Sequence, residues 1–305
     1  YDVKKTYVDI NIVKELINNT GVDISLNEFS FTLVNKSNQS ESYTVTADDS
    51  GNAVIRIPDL VEGTYEYELT ENIKDWPGMS YDTTSHSIIV KVANVGGVLK
   101  AVAHIGNGPF NNDVSGGDVS GGDISGGDAY INTNTNAVTV VFNNKYELAG
   151  TTYTINGTKK LEGRTINSRE FTFELYETDS SFVIPEGAAP NYTTSNNGEG
   201  FSFAQIEYNR VGTYYYSVKE KMGNLPGVTY DTTHYHVTVT VDVNQDGTGL
   251  VANAVINKIG HNSDDSGNVV FVNTYVAQPT AYALAGNKIL REPENSPLNC
   301  MMKKG

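Results

Sequence analysis

A chain of 305 residues is long enough for about two domains, each able to bury its own core. Only 19% of residues are charged, tyrosine occurs 19 times, and Gly, Thr, Asn and Val recur, a composition that points to an all-β fold and away from long helices. The 36 acidic residues against 21 basic ones give a formal charge of -15, which repels nucleic acid, and the single cysteine, Cys300, excludes an intrachain disulfide and a cysteine-based zinc site.

In chain order, the first strand signal is DINIVKEL, ending at Leu16. Side chains alternate across a strand, so Lys14 shares a face with Ile10, Ile12 and Leu16, while Asp9, Asn11 and Glu15 point the other way. NEFSFTL follows from Asn27, and then TYEYELTE, where Glu71 lies on the face of Tyr65, Tyr67 and Leu69. The segment PGMSYDTT, from Pro77, reads as a turn. DVSGGDVSGGDISGGD, residues 113–128, repeats every five residues. Its aspartates Asp113, Asp118, Asp123 and Asp128 invite a calcium reading, but the known Gly/Asp calcium repeat has a different period and order, and a Gly/Ser-rich loop is the plainer assignment. VVFNNKY, residues 140–146, then places Asn144 on the face of Phe142 and Tyr146.

Most of this returns. GTYEYELTENIKDWPGMSYDTTSHSIIVKV, from Gly63, aligns without a gap on GTYYYSVKEKMGNLPGVTYDTTHYHVTVTV, from Gly212. In TINGTKKL, Lys159 shares its face with Ile155, Gly157 and Leu161; in TYYYSVKE, Glu220 lies with Tyr214, Tyr216 and Val218; in VVFVNTY, residues 269–275, Asn273 lies with Phe271 and Tyr275. The many short strands between Gly, Pro, Asn and Asp turns indicate an antiparallel sandwich in each copy. The division expected is residues 1–147 for one domain, which carries the 113–128 loop, 148–277 for a second, and 278–305 for a linker, the first strand of a truncated third repeat and a tail. AYALAGNKIL, residues 281–290, repeats TYTINGTKKL, and Tyr1, Tyr146 and Tyr275 each stand 13 residues before a lysine: Lys14, Lys159 and Lys288. The chain therefore reads as a window on a longer tandem array. Nothing in it resembles a signal peptide, and no apolar run is long enough to span a bilayer.

Each copy thus turns a lysine, a glutamate and an asparagine inward, in that order. Taken singly, a lysine snorkels, a terminal glutamate is solvated and an asparagine sits at a bulge. As a set, the alternatives are a structural Lys-Glu-Asn hydrogen-bond network and a reaction. Burial lowers a lysine pKa and raises a glutamate pKa, so a buried pair can exist as neutral amine and carboxylic acid. A neutral amine against a carboxamide is a nucleophile, and an acid on the amide oxygen would make its carbon electrophilic while ammonia leaves. The product is a side-chain amide bond, with positioning in the core replacing a separate enzyme.

K-x-L (Lys14 to Leu16; Lys159 to Leu161), F-x-F-x-L, Y-x-x-x-E (Tyr67 to Glu71; Tyr216 to Glu220), PG-x-x-YDTT and F-x-N-x-Y together resemble the pilin isopeptide linkage domains of Gram-positive bacteria, best known from streptococcal backbone pilins. The resemblance implies tandem immunoglobulin-like (CnaB-like) β-sandwiches, isopeptide bonds from Lys14 to Asn144 and from Lys159 to Asn273, and Glu71 and Glu220 as the catalytic acids. It implies a structural protein of the extracellular Gram-positive surface, cell wall or pilus, whose partners are neighbouring repeats or other pilus subunits, with no cofactor, no metal and no turnover activity. Neither an LPxTG-like sorting signal nor a pilin motif for joining subunits is found, and copy one has LINN where copy two has LEGR, so a non-polymerising stalk of a larger adhesin fits the array better than a pilus shaft. The alternative class is an adhesive module that binds a host glycan or protein through Tyr215 or the segment at 185–200. His234 and His236 share a strand face and read as a surface strand rather than half of a metal site.

Overall fold

The computed structural model describes residues 4–106, 129–132, 137–259 and 267–279, the backbone alone for 129–132. Strands form where β-branched and aromatic residues alternate with polar ones, and they stop at Gly, Pro, Asn and Asp turns. The first copy runs β1 (Thr6–Asn18), β2 (Ser30–Asn35), β3 (Ser42–Thr46), β4 (Asn52–Leu60), β5 (Gly63–Glu71), β6 (Met79–Ser80), β7 (His86–Val95), β8 (Val98–Ile105), β9 (Ala129–Asn132) and β10 (Ala137–Tyr146). The second runs β11 (Thr151–Tyr153), β12 (Asn156–Glu162), β13 (Thr172–Thr178), β14 (Tyr192–Ser195), β15 (Gly200–Ser202), β16 (Ile206–Tyr208), β17 (Gly212–Glu220), β18 (Val228–Thr229), β19 (His234–Val243), β20 (Leu250–Lys258) and β21 (Val269–Tyr275).

Two sheets face each other in each copy. In the first, β4-β1-β10-β6 opposes β3-β2-β5-β7-β8; in the second, β15-β12-β21-β18 opposes β14-β13-β17-β19-β20. The strands of these four sheets correspond one to one, while β9, paired with β10, and the two-stranded β11-β16 sheet have no counterpart. Both cores draw on both sheets: Ile10, Ile12, Val140 and Phe142 pack with Phe31, Leu33, Tyr67 and Leu69, and Ile155, Val269 and Phe271 with Phe173, Leu175 and Val218. These are tandem immunoglobulin-like sandwiches, the all-β class expected.

The first and last strands of each copy are neighbours and run parallel, with Lys14 opposite Phe142 and Leu16 opposite Asn144. The second copy repeats this register, with Lys159 opposite Phe271 and Leu161 opposite Asn273. A parallel pair needs a long crossover, and here the whole remainder of the copy supplies it. Every other pairing between these named strands is antiparallel. Between the copies, the Val211 amide donates to the Thr20 carbonyl at 2.8 Å, so the junction carries a backbone hydrogen bond.

PG-x-x-YDTT is the least regular shared element, and its glycine has a geometric reason. Gly78 and Gly227 have φ of 79° and 75°, in the left-handed region that disfavours side chains. A Cβ there would lie 2.6 Å from the Glu147 carbonyl oxygen and 2.3 Å from that of Val276. The same glycines accept hydrogen bonds of 2.9 Å from the Glu147 and Val276 amides, which ties the turn to the end of the last strand. Gly227→Ala is expected to destabilise the second sandwich by about 2 to 4 kcal/mol through strain and overlap, read as a lower urea midpoint. An unchanged midpoint would show that the turn has slack.

Candidate functional site

The site is built from three strands and one turn. Lys14 sits at mid-length on β1, where its amide donates to the Gly51 carbonyl at 2.7 Å, and its side chain runs into the core beneath Phe29, whose ring centroid is 5.0 Å from Nζ. Glu71 closes β5 in the facing sheet, and Asn144 lies on β10 beside the lysine strand. Lys159 under Phe171 (4.8 Å), Glu220 on β17 and Asn273 on β21 repeat the arrangement. The lysine and glutamate side chains are 0% exposed in both copies. The parity reading of all six residues as inward-facing therefore agrees with their burial.

Within each trio the glutamate bridges. Lys14 Nζ donates to Glu71 Oε2 at 3.1 Å, and Asn144 Nδ2 donates to Glu71 Oε1 at 2.8 Å. In the second copy both distances, Lys159 Nζ to Glu220 Oε2 and Asn273 Nδ2 to Glu220 Oε1, are 2.8 Å. Lys14 Nζ also donates to the Phe142 carbonyl at 3.3 Å. One carboxyl group thus holds the amine on one oxygen and the amide nitrogen on the other, without solvent.

The asparagine orientation differs from the sequence expectation, which put the acid on the amide oxygen. Asn144 Oδ1 instead accepts from the backbone N–H of Asp82 at 2.7 Å, and Asn273 Oδ1 from that of Asp231 at 2.7 Å. A backbone N–H can only donate, so it requires the carboxamide oxygen on its side and turns the NH2 group toward the glutamate. Both aspartates belong to the PG-x-x-YDTT segment, a repeated motif that reads in the sequence only as a turn.

Burial sets the proton balance. Desolvation, the largest influence, pushes Lys14 and Lys159 below the ordinary lysine value and Glu71 and Glu220 above the ordinary carboxyl value; the charge and hydrogen bond of each partner oppose this without reversing it. Asp82 and Asp231 go the other way. Burial alone would raise them, but hydrogen bonds from Thr84 and Asn143, and from Thr233 and Val272, outweigh it and keep both carboxylates below the usual range.

These residues fall inside a family match. Residues 10–147 and 155–276 each match FctA, the Spy0128-like isopeptide containing domain. The chain belongs to this family. A pilin of Streptococcus pyogenes serotype M1 is 38% identical over 72 residues, a match that spans 21% of each chain, so only about a fifth of that relative's length is matched. The crystal structure of the major pilin from Streptococcus pyogenes is 17% identical, with 90% of this chain and 100% of that chain covered at a TM-score of 0.29. The pilus adhesin SpaC from Lactobacillus rhamnosus GG, open conformation, is 11% identical, with 91% of this chain and 44% of that chain covered at a TM-score of 0.26. At these scores the structural similarities add nothing to the family match.

Other residues singled out in the sequence of this Spy0128-like chain lie elsewhere. His236 stacks on Phe182 with ring centroids 4.1 Å apart and His234 is exposed; among the described residues no three metal-ligating side chains cluster. Tyr215 is half-buried, edge-on to Phe182, rather than free on the surface. The segment at 185–200 is partly structural: Asn196 is buried, accepts from the Phe171 amide and donates to the carbonyls of Asn167 and Gly198, so it holds the residue whose ring covers Lys159. The 113–128 loop and Lys288 lie outside the described residues.

The shifted pair makes a prediction for an Asn273→Ala chain, which has no carboxamide at this position. A raised glutamate contributes stability that is complete below its unfolded value near 4.5 and is lost as pH rises through its folded value. A lowered lysine carries a penalty that disappears as pH climbs toward 10.5. The stability of this variant, measured against an Asn273→Ala chain that also carries Lys159→Met and Glu220→Gln, should pass through a trough between those limits. A flat difference in denaturation free energy across that range would contradict the shifts.

Proposed function

We propose that each of the two units, residues 1–147 and 148–277, closes on itself by an isopeptide bond, Lys14 to Asn144 and Lys159 to Asn273, with Glu71 and Glu220 as the catalytic groups. The observation that carries this reading is the bridging glutamate, which holds an amine and a carboxamide nitrogen on its two oxygens in both copies. Moving one proton from Nζ to the carboxylate gives a neutral amine and a neutral acid, the direction that burial favours for both groups. The amine nitrogen then bonds to Cγ and the Cγ–Nδ2 bond breaks. The carboxylic acid gives its proton to the departing nitrogen and takes one from the attacking nitrogen, so one ammonia leaves per bond and the glutamate is left as the neutral acid that entered this step. This is a single event per unit, with no turnover.

The bond would join the first strand to the last. By the loop-closure arithmetic used for disulfides, loops of this size lose about 4 to 5 kcal/mol of unfolded-state entropy, and an amide is not reduced as a disulfide is. Family membership and the pilin relative support a role in a pilus shaft, or in the stalk of an adhesin, on a Gram-positive cell surface, with neighbouring repeats and pilus subunits as partners. Among the described residues no helix is long and apolar enough to cross a membrane.

The intact mass of the full chain should fall short of the sequence mass by two ammonia molecules, and digestion should yield peptides joined at Lys14–Asn144 and Lys159–Asn273. Glu220→Ala should leave a folded second unit that keeps its ammonia while the first unit links. A fully linked Glu220→Ala chain would remove the glutamate from the mechanism, and no mass deficit in the unaltered chain would reduce the trio to a hydrogen-bond network. The rate of linking should follow a bell in pH, falling where the pair gains a second proton and where it loses its only one.

A further inference from the structure

We infer that the backbone N–H of Asp82, and of Asp231 in the second copy, is the oxyanion donor for the bond-forming step, and that the carboxylate of the same residue is the positioning group that aims it. This rests on the crosslinking reading and deepens it. When Nζ adds to the asparagine Cγ, the charge that develops sits on Oδ1. The glutamate is engaged with the two nitrogens, and the partner of Oδ1 is this N–H, at 2.7 Å in both copies. A donor already aimed at the oxygen, in a core closed to solvent, stabilises the tetrahedral intermediate without reorganising.

The aspartate side chain fixes the donor relative to the reacting residue. Asp82 Oδ2 accepts from the amide of Asn143 at 3.1 Å and Asp231 Oδ2 from the amide of Val272 at 2.8 Å; each donor immediately precedes the reacting asparagine. Oδ1 of each accepts from the amide two residues on, Thr84 at 2.9 Å and Thr233 at 2.8 Å, and closes the turn. The clamp grips backbone, and so it is the same in both copies although Asn143 and Val272 differ. β6 and β18 pair with the last strand just before the aspartate, Met79 with Tyr146 and Val228 with Tyr275, and the preceding glycine sets the approach. A collapsed turn or a lost clamp would leave the trio in place but withdraw the charge-stabilising group.

The test uses the full chain made by cell-free translation with residue 231 supplied as the α-hydroxy acid counterpart of aspartate. This replaces one amide by an ester: the N–H is removed and the carboxylate kept. Timed samples are quenched and the Lys159–Asn273 and Lys14–Asn144 linkages quantified by mass spectrometry, the unaltered first copy serving as control within the same molecule. The expected result is linking of the second copy slowed about 10²-fold to 10³-fold, the range for loss of one oxyanion donor, with the pH midpoints of the rate unmoved because lysine and glutamate are intact. In a companion series Asp231→Asn, which keeps the N–H and one acceptor oxygen, should link faster than Asp231→Ala. Linking of the ester chain at the unaltered rate overturns the donor role, and equal rates for Asp231→Asn, Asp231→Ala and the unaltered chain overturn the positioning role. If the ester slows linking only by shifting the pH midpoints, the effect is a disturbed core and the inference fails. A chain in which neither copy ever loses ammonia overturns the crosslinking reading itself, a distinct outcome.

Discussion

The constraint on which this structure depends is a lysine amine and a glutamate carboxyl enclosed together in a dry core. Moving a charge out of water costs several kcal/mol per ion after relaxation, and such a pair recovers that only with close geometry and further hydrogen bonds. Each sandwich meets the condition in the same way. The lysine comes from one sheet and the glutamate from the facing one, an asparagine beside the lysine takes the second carboxyl oxygen, and a phenylalanine ring covers the amine. Aromatic packing extends this cover, with Trp76 stacked on Phe29 and Tyr230 edge-on to Phe171. With the bond proposed here, an expensive ion pair becomes a neutral amide that needs no counter-charge.

The strand order gives that bond its mechanical sense. Because the first and last strands are parallel neighbours, each lysine lies one strand away from its asparagine, which stands two register positions further along and two residues before the end of the last strand. Force applied along the chain would pass through the cross-link and leave the other strands unloaded. A backbone hydrogen bond from Val211 to Thr20 crosses the junction. With the proposed bond in place, this would be the architecture of a spacer.

The two copies hold the site constant while the surroundings diverge. His86 of the first copy occupies the place of Tyr235 in the second, as their pairing with Leu69 and Val218 shows, and both rings meet the phenylalanine of the last strand edge-on. Tyr67 reaches Glu41 where Tyr216 reaches Tyr208. Variation is tolerated where a side chain contributes shape or a replaceable hydrogen bond. The lysine, glutamate, asparagine and turn aspartate do not vary, because each supplies an atom that the geometry uses.

Much of this was legible in the sequence. Alternation identified the strands, the repeat identified two equivalent units, and the parity of Lys14, Glu71 and Asn144 with apolar neighbours placed all three inside, since a strand has only two faces. The roles of Asp82, Phe29 and Asn196 were not legible, because each acts through a contact between segments distant in sequence and in part through backbone atoms that carry no residue-specific signal; the repeated YDTT was the one available hint. The amide orientation was likewise beyond reach, since it depends on a donor from another segment. The sequence by itself determined the all-β class, the duplication and which polar groups point inward, because period and parity are local properties. Only the tertiary structure decided which carboxyl oxygen meets which nitrogen and what holds the amide oxygen, because those follow from how two sheets and a turn close around one point.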